Sequence, residues 1–192
     1  MTAGHRVRKR AAAAAFGMSV ALALVQQGTA LAALTPPAVP PNLAVPAGNV
    51  LYLVGHARGY QVYECQAVNN GYAWALLYAY AGLTDDSGNY VAQHYPGPTW
   101  RGPDNSYVVA TRIASAPAPS GTTIPWLLLQ ATSNSGPPGG LFTNTTYIQR
   151  INTTGGLAPA GGLAPAGGCD EAHVGAVAAV YYTADYYFYR AG

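Results

Sequence analysis

The sequence predicts an all-β protein, an antiparallel β-sandwich or small β-barrel of about eight to ten strands with one disulfide. Three observations lead to this prediction. Short segments with strand-like character are separated by clusters of Gly, Pro, Asn, Asp and Ser. All fifteen tyrosines, which favour strands, follow residue 50. The chain also contains exactly one pair of cysteines, Cys65 and Cys169.

The first segment, residues 1–32, is predicted to be a secretory signal peptide. Four cations within residues 6–10 precede an apolar stretch at residues 11–25, and Ala30-Leu31-Ala32 matches the small-residue cleavage pattern. A membrane anchor is less consistent with this pattern, because the apolar run is short and interrupted. We therefore expect a secreted protein, extracellular or associated with the cell envelope, without a transmembrane segment after cleavage.

The charge of the chain from Ala33 onward excludes several classes of function. Five arginines stand against seven carboxylates in this part, which gives a formal net charge of −2. This balance gives no support to nucleic-acid binding. No lysine follows Lys9, so a Schiff-base enzyme and a Gly-Lys-Ser/Thr phosphate loop are excluded, and no Gly-x-Ser-x-Gly motif occurs.

The remainder is expected to be one domain with a leader. Residues 33–48 are rich in Pro and Ala and predict an extended leader, and residues 49–192 predict a single all-β domain. Within it lies a duplicated Gly/Ala/Pro loop at residues 155–168, where Gly-Gly-Leu-Ala-Pro-Ala occurs twice in tandem. Two copies are too few for a solenoid, so the duplication indicates a loop.

The strands are predicted from alternation and from turn signals. The clearest segment is residues 72–81, where bulky side chains on one face alternate with mostly alanine on the other, and a turn signal follows at residues 85–89. The predicted strands are residues 49–57, 59–66 (hinged to the first near Gly59), 72–81, 90–95, 106–115, 124–129, 141–153 and 177–190. Residues 116–123 and 132–140 are predicted loops.

Residues 94–104 form the most informative stretch for function. Prolines at positions 96, 98 and 103 restrict the backbone, so we expect a rigid, extended loop. The stretch carries His94, Trp100 and Asp104. Rigid loops with polar and aromatic groups are common places for functional sites.

Cys65 and Cys169 predict one structural disulfide, because an exported chain with a single pair of cysteines is usually oxidised. The alternative is a redox-active or metal-binding thiol pair. That alternative lacks the Cys-x-x-Cys spacing such sites use.

Candidate chemistry is limited to three histidines and a few carboxylates. His94 and Asp104 are candidate acid/base residues, and Ser106 could complete a triad only if the geometry allowed it. The alternative for His94 is a structural hydrogen bond to the backbone of its own loop. His56, His94 and His173 are candidate metal ligands, although none of their spacings is a metal motif. No cofactor is identified.

Arg150 and Asp185 are candidate binding residues, because each is a charge within an otherwise apolar or aromatic strand. We expect them either to pair across the sheet or to line the polar floor of an aromatic cavity that also holds Trp100 and Tyr187. The many aromatic side chains would suit stacking against a glycan, a cell-wall component or a planar small molecule. They would equally suit packing within a sheet.

Six ordered motifs carry a resemblance to a known family. They are Gln-Val-Tyr-Glu-Cys at 61–65, His-Tyr-Pro-Gly-Pro-Thr-Trp at 94–100, Ile-Pro-Trp-Leu-Leu-Leu at 124–129, Tyr-Ile-Gln-Arg-Ile-Asn-Thr at 147–153, Gly-Cys-Asp at 168–170 and Tyr-Thr-Ala-Asp-Tyr-Tyr-Phe-Tyr at 182–189. Between residues 39 and 189 the chain resembles a family of secreted domains of unknown function, found in bacteria and filamentous fungi. It departs from the family at Asp104-Asn105-Ser106, where Asp-Gly-Ser is usual, and in the duplicated hexapeptide.

Some fungal members of that family carry the label malate dehydrogenase. The residues argue against this activity, since no Gly-x-Gly-x-x-Gly follows a strand and no alternation of strands and helices is visible.

We therefore expect a secreted module of uncharacterised function that binds a ligand or the cell envelope through an aromatic-rich surface or cavity. The alternative is a small extracellular enzyme, metal-dependent or using His94 and Asp104, with its site at the loop of residues 94–104. A structural role in the extracellular matrix is a third possibility. The enzyme hypothesis requires His94 and a carboxylate to meet in one concave pocket, whereas the binding hypothesis does not.

Overall fold

The computed structural model describes residues 1, 2, 4, 34–160 and 168–192. The predicted signal peptide lies almost entirely outside these residues, and so does the second copy of the hexapeptide. The fold below is that of residues 34–192 within the described ranges.

Eight antiparallel strands form a closed barrel in which each strand pairs with the next along the chain and β8 pairs with β1. The strands are β1 (Asn49–Val68), β2 (Gly71–Thr84), β3 (Tyr90–Tyr95), β4 (Thr99–Arg101), β5 (Tyr107–Ala116), β6 (Trp126–Ser135), β7 (Thr145–Gly155) and β8 (Val177–Ala191). Two short 3₁₀ helices, Pro41–Leu43 and Glu171–His173, precede β1 and β8. The predicted all-β class is confirmed, and the barrel is the form it takes.

One predicted break within the barrel wall is wrong. Residues 49–57 and 59–66 form the single strand β1, because Gly59 allows close packing here instead of ending the strand. A Cβ atom at Gly59 would lie 2.0 Å from the carbonyl oxygen of Tyr80 and 2.5 Å from Cα of Ala81. Glycine lets β2 approach β1 closely at this point.

The predicted rigid loop at residues 94–104 is instead largely a hairpin. β3 ends at Tyr95, a turn occupies residues 96–98, and β4 returns over Thr99–Arg101. The prolines flank β4 at positions 98 and 103, so the three residues of β4 keep their N–H groups for pairing. Residues 132–135, also predicted as loop, extend β6.

The interior of the barrel contains one main hydrophobic core. Its aromatic members pack in edge-to-face and tilted arrangements, with Trp100 and Tyr186 ring centroids 5.3 Å apart and Phe142 and Phe188 centroids 5.1 Å apart. On β1 and β2 the core positions include the small residues Ala57 and Ala81 as well as Leu83. The small face predicted for the strand in residues 72–81 therefore includes a core position.

The leader packs on the outside of the barrel. Leu43 is fully buried against Leu128 and Ala116, and its carbonyl oxygen accepts a 2.7 Å hydrogen bond from Nε2 of Gln149. The leader therefore covers outward-facing residues of β5, β6 and β7 that would otherwise be exposed.

The predicted disulfide between Cys65 and Cys169 is confirmed, with the two Cα atoms 5.3 Å apart. It joins the distal part of β1 to the segment that precedes β8. Within the described ranges, no helix has the length and hydropathy that crossing a membrane requires.

Candidate functional site

A gap in the barrel wall borders a cavity that reaches into the barrel. β2 pairs with β3 only over residues 81–84, and β5 pairs with β4 only over residues 107–109. The longer strands β2 and β5 thus extend beyond the short β3–β4 hairpin, which leaves the wall open above the turn at residues 96–98. A cavity of about 580 Å³ lies here, lined by residues of all three elements and by the barrel interior.

The turn at the edge of this gap is fixed by hydrogen bonds. Gly97 has a φ of 77°, a conformation that favours glycine. The Thr99 hydroxyl donates to the carbonyl oxygen of Gly97 at 3.1 Å, and the carbonyl of Pro98 accepts from the N–H of Ala110 on β5 at 3.0 Å. The turn therefore gives the cavity a rigid edge.

Four strands each contribute one side chain with a nitrogen atom to the lining of the cavity. Gln61 on β1 and Trp100 on β4 are each 1% exposed, His94 on β3 is 4% exposed and Arg150 on β7 is 8% exposed. Tyr186 on β8 lies beside them, with its ring centroid 5.6 Å from that of His94. The cavity is thus polar at its deep end, although it lies inside a hydrophobic barrel.

His94 is held in one orientation and in one charge state. Its ring stacks on Trp100 with centroids 4.4 Å apart and planes 3° apart, and its Nδ1 lies 3.0 Å from the carbonyl oxygen of Thr99. Because a carbonyl only accepts, Nδ1 carries the hydrogen and Nε2 is left as an acceptor. Burial, the largest effect, lowers the pKa of His94 to about 4. The hydrogen bond to Thr99 raises this pKa, and the positive charge of Arg150 lowers it further. The imidazole is therefore neutral at physiological pH.

Arg150 carries a positive charge into the cavity without a carboxylate partner. Its Nη2 donates to the carbonyl oxygen of Pro125 at 2.9 Å. Every ion pair in the described ranges joins a histidine to an aspartate, so none involves Arg150. A buried charge without a counter-ion is costly, by several kcal/mol in order of magnitude.

Three residues that line the cavity each carry a buried nitrogen donor with no acceptor within the part of the chain that the structure describes. They are Nε2 of Gln61, Nε1 of Trp100 and Nε of Arg150. A buried donor without a partner costs about 1–3 kcal/mol, and native proteins contain few of them. Three of the six such donors among the described residues therefore belong to residues of this cavity.

The four predicted binding residues are divided between the two faces of the barrel wall. Trp100 and Arg150 line the cavity, whereas Asp185 and Tyr187 do not. Asp185 contacts His56 with an Oδ1 to Nδ1 distance of 2.7 Å and accepts from Nδ2 of Asn152 at 2.8 Å. The predicted pairing of Arg150 with Asp185 is wrong, because Arg150 lies opposite Tyr186 in the sheet register.

The two candidate catalytic residues do not meet. Asp104 accepts hydrogen bonds from the hydroxyl of Ser106 at 2.6 Å and from the N–H of Leu141 at 2.7 Å. These bonds, led by that of Ser106, hold the pKa of Asp104 below its usual value. Asp104 and Ser106 fix a loop outside the cavity, and His94 takes the backbone hydrogen bond of the structural alternative. No carboxylate of the described residues lines the cavity with His94.

The three candidate metal ligands lie in three separate places. His94 is in the cavity, His173 pairs with Asp170 at 2.6 Å, and His56 lies between Asp185 and Asp86. Among the residues that the structure describes, no group of three His, Cys, Asp or Glu side chains is arranged to hold a metal ion, and His56 uses both ring nitrogens for its contacts with Asp185 and Asp86.

Gln61 and Tyr186 are residues of the cavity that were not predicted as site residues. Gln61 continues the buried face of β1, on which Ala57 and Gly59 precede it at two-residue spacing. A polar side chain on a strand face of otherwise small residues was the available signal. No sequence signal distinguished Tyr186, because aromatic residues occupy both faces of β8.

Comparisons with known proteins give one match. No curated protein and no solved structure matches the chain. The family model described as "Protein of unknown function (DUF3455)" matches residues 46–190, which include β1 to β7, β8 as far as Arg190 and all the cavity residues discussed above. The chain therefore belongs to this family of proteins of unknown function.

Proposed function

We propose that this protein is an extracellular binding protein that holds a small organic molecule inside its barrel. The observation that carries the proposal is the cavity with three buried, unpartnered donors on Gln61, Trp100 and Arg150. A volume of about 580 Å³ lies within the range of small-molecule sites. A bound molecule with acceptor atoms would satisfy these donors and offset the cost of burying them.

The chemistry of the lining supports binding over catalysis. The ionisable residues of the lining are two arginines, His94 and tyrosines. General acid/base catalysis works best with a group that titrates near the operating pH, whereas the pKa of His94 is lowered to about 4. His94 is suited to accept a hydrogen bond from a ligand, and less suited to exchange protons with it.

The shape of the site supports a small molecule over a polymer. The cavity reaches into the barrel as far as Trp100 and Arg150, and it is bordered by the gap between β2 and β5. A glycan or cell-wall polymer would need an open groove along the surface, whereas a compact ligand can enter through a gap in the wall.

The extracellular location rests on two features of the chain. The predicted signal peptide at residues 1–32 directs export, and the disulfide between Cys65 and Cys169 is typical of an oxidising compartment. Both support a protein that meets its ligand outside the cytoplasm.

The proposal is tested by blocking the cavity. Ala79 lines the cavity on β2, whereas Ala73 is exposed on the same strand and does not line it. A library of small neutral and charged organic molecules is screened by thermal shift against the wild type, Ala79→Trp and the control Ala73→Trp. We expect stabilising compounds to raise the melting temperature of the wild type and of Ala73→Trp but not of Ala79→Trp. Compounds that stabilise all three proteins equally would bind elsewhere, and the proposal would fail.

A further inference from the structure

We propose that the bound molecule is an organic carboxylate with an apolar body, whose anionic group lies against Arg150. This inference rests on the proposed function and specifies the chemical class of the ligand. It is carried by the charge of the cavity, the arrangement of its donors and the character of its walls.

The charge of the cavity differs from that of the rest of the chain. Both lining residues that carry a permanent charge are arginines, Arg150 at depth and Arg112 at the exposed edge on β5. The seven carboxylates of the chain all lie elsewhere, although they outnumber the five arginines that follow Ala33. A cleft lined by one sign of charge attracts ligands of the opposite sign.

The donors at the deep end match a planar acceptor. Arg150 uses Nη2 for the carbonyl oxygen of Pro125, which leaves Nε unpaired. Guanidinium groups bind carboxylates through two parallel N–H···O bonds, and a carboxylate offers about four acceptor positions. Gln61 and Trp100 contribute further donors to the same cavity.

The number of buried cations favours a monoanion over a dianion. Arg150 is the buried arginine of the lining, whereas Arg112 is exposed. A single carboxylate would neutralise Arg150 and remove the cost of its unpaired charge. A phosphate dianion would leave a second charge in the barrel without a buried partner, which is unfavourable for the same reason.

The walls around these donors require an apolar body. Leu127 and Leu129 on β6 and Ile124 before β6 line one side of the cavity, and Leu76 and Leu77 line the part formed by β2. A hydrocarbon chain or ring that covers these side chains would gain free energy by removing apolar surface from water. A small, fully polar acid such as oxalate would leave this surface uncovered.

The route into the cavity fits the same ligand. Arg112 and Thr111 lie on β5 at the gap, on the side opposite Leu76 and Leu77 of β2. An approaching amphiphilic acid meets a cation on one side of the gap and apolar side chains on the other. The charge accelerates encounter, and the buried Arg150 then holds the carboxylate.

The test uses pairs of ligands that differ only in charge. Isothermal titration calorimetry at pH 7.5 measures octanoate against octanamide and trans-cinnamate against trans-cinnamamide. For at least one pair, we expect the acid to bind the wild type at least tenfold more tightly than its amide. Arg150→Met should weaken binding of the acid more than binding of its amide, so that the two affinities come within about twofold of each other. Arg58→Met, which removes an exposed arginine outside the cavity, should retain it.

Three results overturn the inference, and they separate it from the proposed function. An amide that binds as tightly as its acid and is blocked by Ala79→Trp overturns the carboxylate alone. A preference for the acid that persists in Arg150→Met also overturns it. Failure of all four compounds to bind the wild type overturns the inference. If, in addition, the library screen gives no compound whose binding is blocked by Ala79→Trp, the proposed function is overturned as well. Arg150→Lys keeps the charge and should retain part of the preference, so it provides a second variant if Arg150→Met does not fold.

Discussion

Arg150 and Asp185 lie on the neighbouring strands β7 and β8, one register position apart, with their side chains on opposite faces of the barrel wall. Arg150 reaches the cavity, while Asp185 contacts His56 on the outside. The wall thus keeps the buried cation away from the carboxylate closest to it in register. This separation is the basis of the proposed ligand site, because a paired arginine would have little free energy to gain from a ligand.

Replacing Arg150 by methionine should stabilise the empty protein. Arg150→Met removes an uncompensated buried charge and keeps a long side chain, and because a buried charge without a counter-ion is costly, the variant should gain about 1 kcal/mol or more. Urea denaturation without ligand should show a higher midpoint for the variant at an unchanged slope. A loss of stability of more than about 1 kcal/mol would indicate that Arg150 is a structural residue.

The buried His94 should make the protein less stable in mild acid. Its pKa is lowered to about 4 in the folded chain but is about 6.5 when unfolded, so the unfolded state takes up the proton first. The contribution of neutral His94 to the free energy of unfolding is fully present above pH 6.5 and is lost as the pH falls towards 4. About 2 kcal/mol of it is lost between pH 7 and 5. Urea denaturation of the wild type and of His94→Gln at both pH values checks this. The stability difference between pH 7 and 5 should shrink in the variant, and an equal difference in both proteins would contradict the assignment.

His56 should act in the opposite direction. Hydrogen bonds that the His56 ring donates to Asp185 first, and then to Asp86, raise the pKa of His56 above 6.5. Its contribution to stability is complete below pH 6.5 and is lost as the pH rises through the folded value. NMR titration of the His56 ring should give a pKa that falls in Asp86→Asn. The same pKa in both proteins would show that the contact between His56 and Asp86 does not persist in solution.

Asp104 should matter for stability and not for ligand binding. Its carboxylate accepts hydrogen bonds from Ser106 and from the N–H of Leu141, and it does not line the cavity. Asp104→Ala should therefore lower the free energy of unfolding by about 1–3 kcal/mol, since Ser106 is buried and loses its partner. Calorimetry with octanoate should give the same affinity as the wild type. A loss of affinity greater than about fivefold would restore Asp104 to the candidate site.

Local patterns in the sequence were enough to predict much of the fold. The alternation in residues 72–81 is a property of one strand, and it correctly indicated a strand with one small face. The left-handed backbone at Asn105, with a φ of 65°, occurs at the position where the family resemblance has glycine. Both features depend on residues close together in the chain, but only the alternation was predicted, and the left-handed backbone at Asn105 was not.

The composition of the site could not be predicted in the same way. Whether Arg150 meets Tyr186 or Asp185 depends on the register between β7 and β8, and Arg150 is more than thirty positions from both residues in the chain. On β8, Tyr186 lies inside the barrel and Tyr187 does not, and no hydrophobic alternation distinguishes them. Strand register is a tertiary property that aromatic residues on both faces do not specify.

The most direct test of the ligand site is the indole region of a ¹⁵N NMR spectrum during titration with octanoate. The chain has three tryptophans, each with a buried indole Nε1 that has no acceptor within the described residues, and Trp100 is the one that lines the cavity. Trp74 and Trp126 are therefore internal controls. The account predicts that the Trp100 Nε1–H signal shifts and saturates while the other two signals stay in place, and that Arg150→Met abolishes the shift. A titration in which Trp74 or Trp126 responds and Trp100 does not would contradict it.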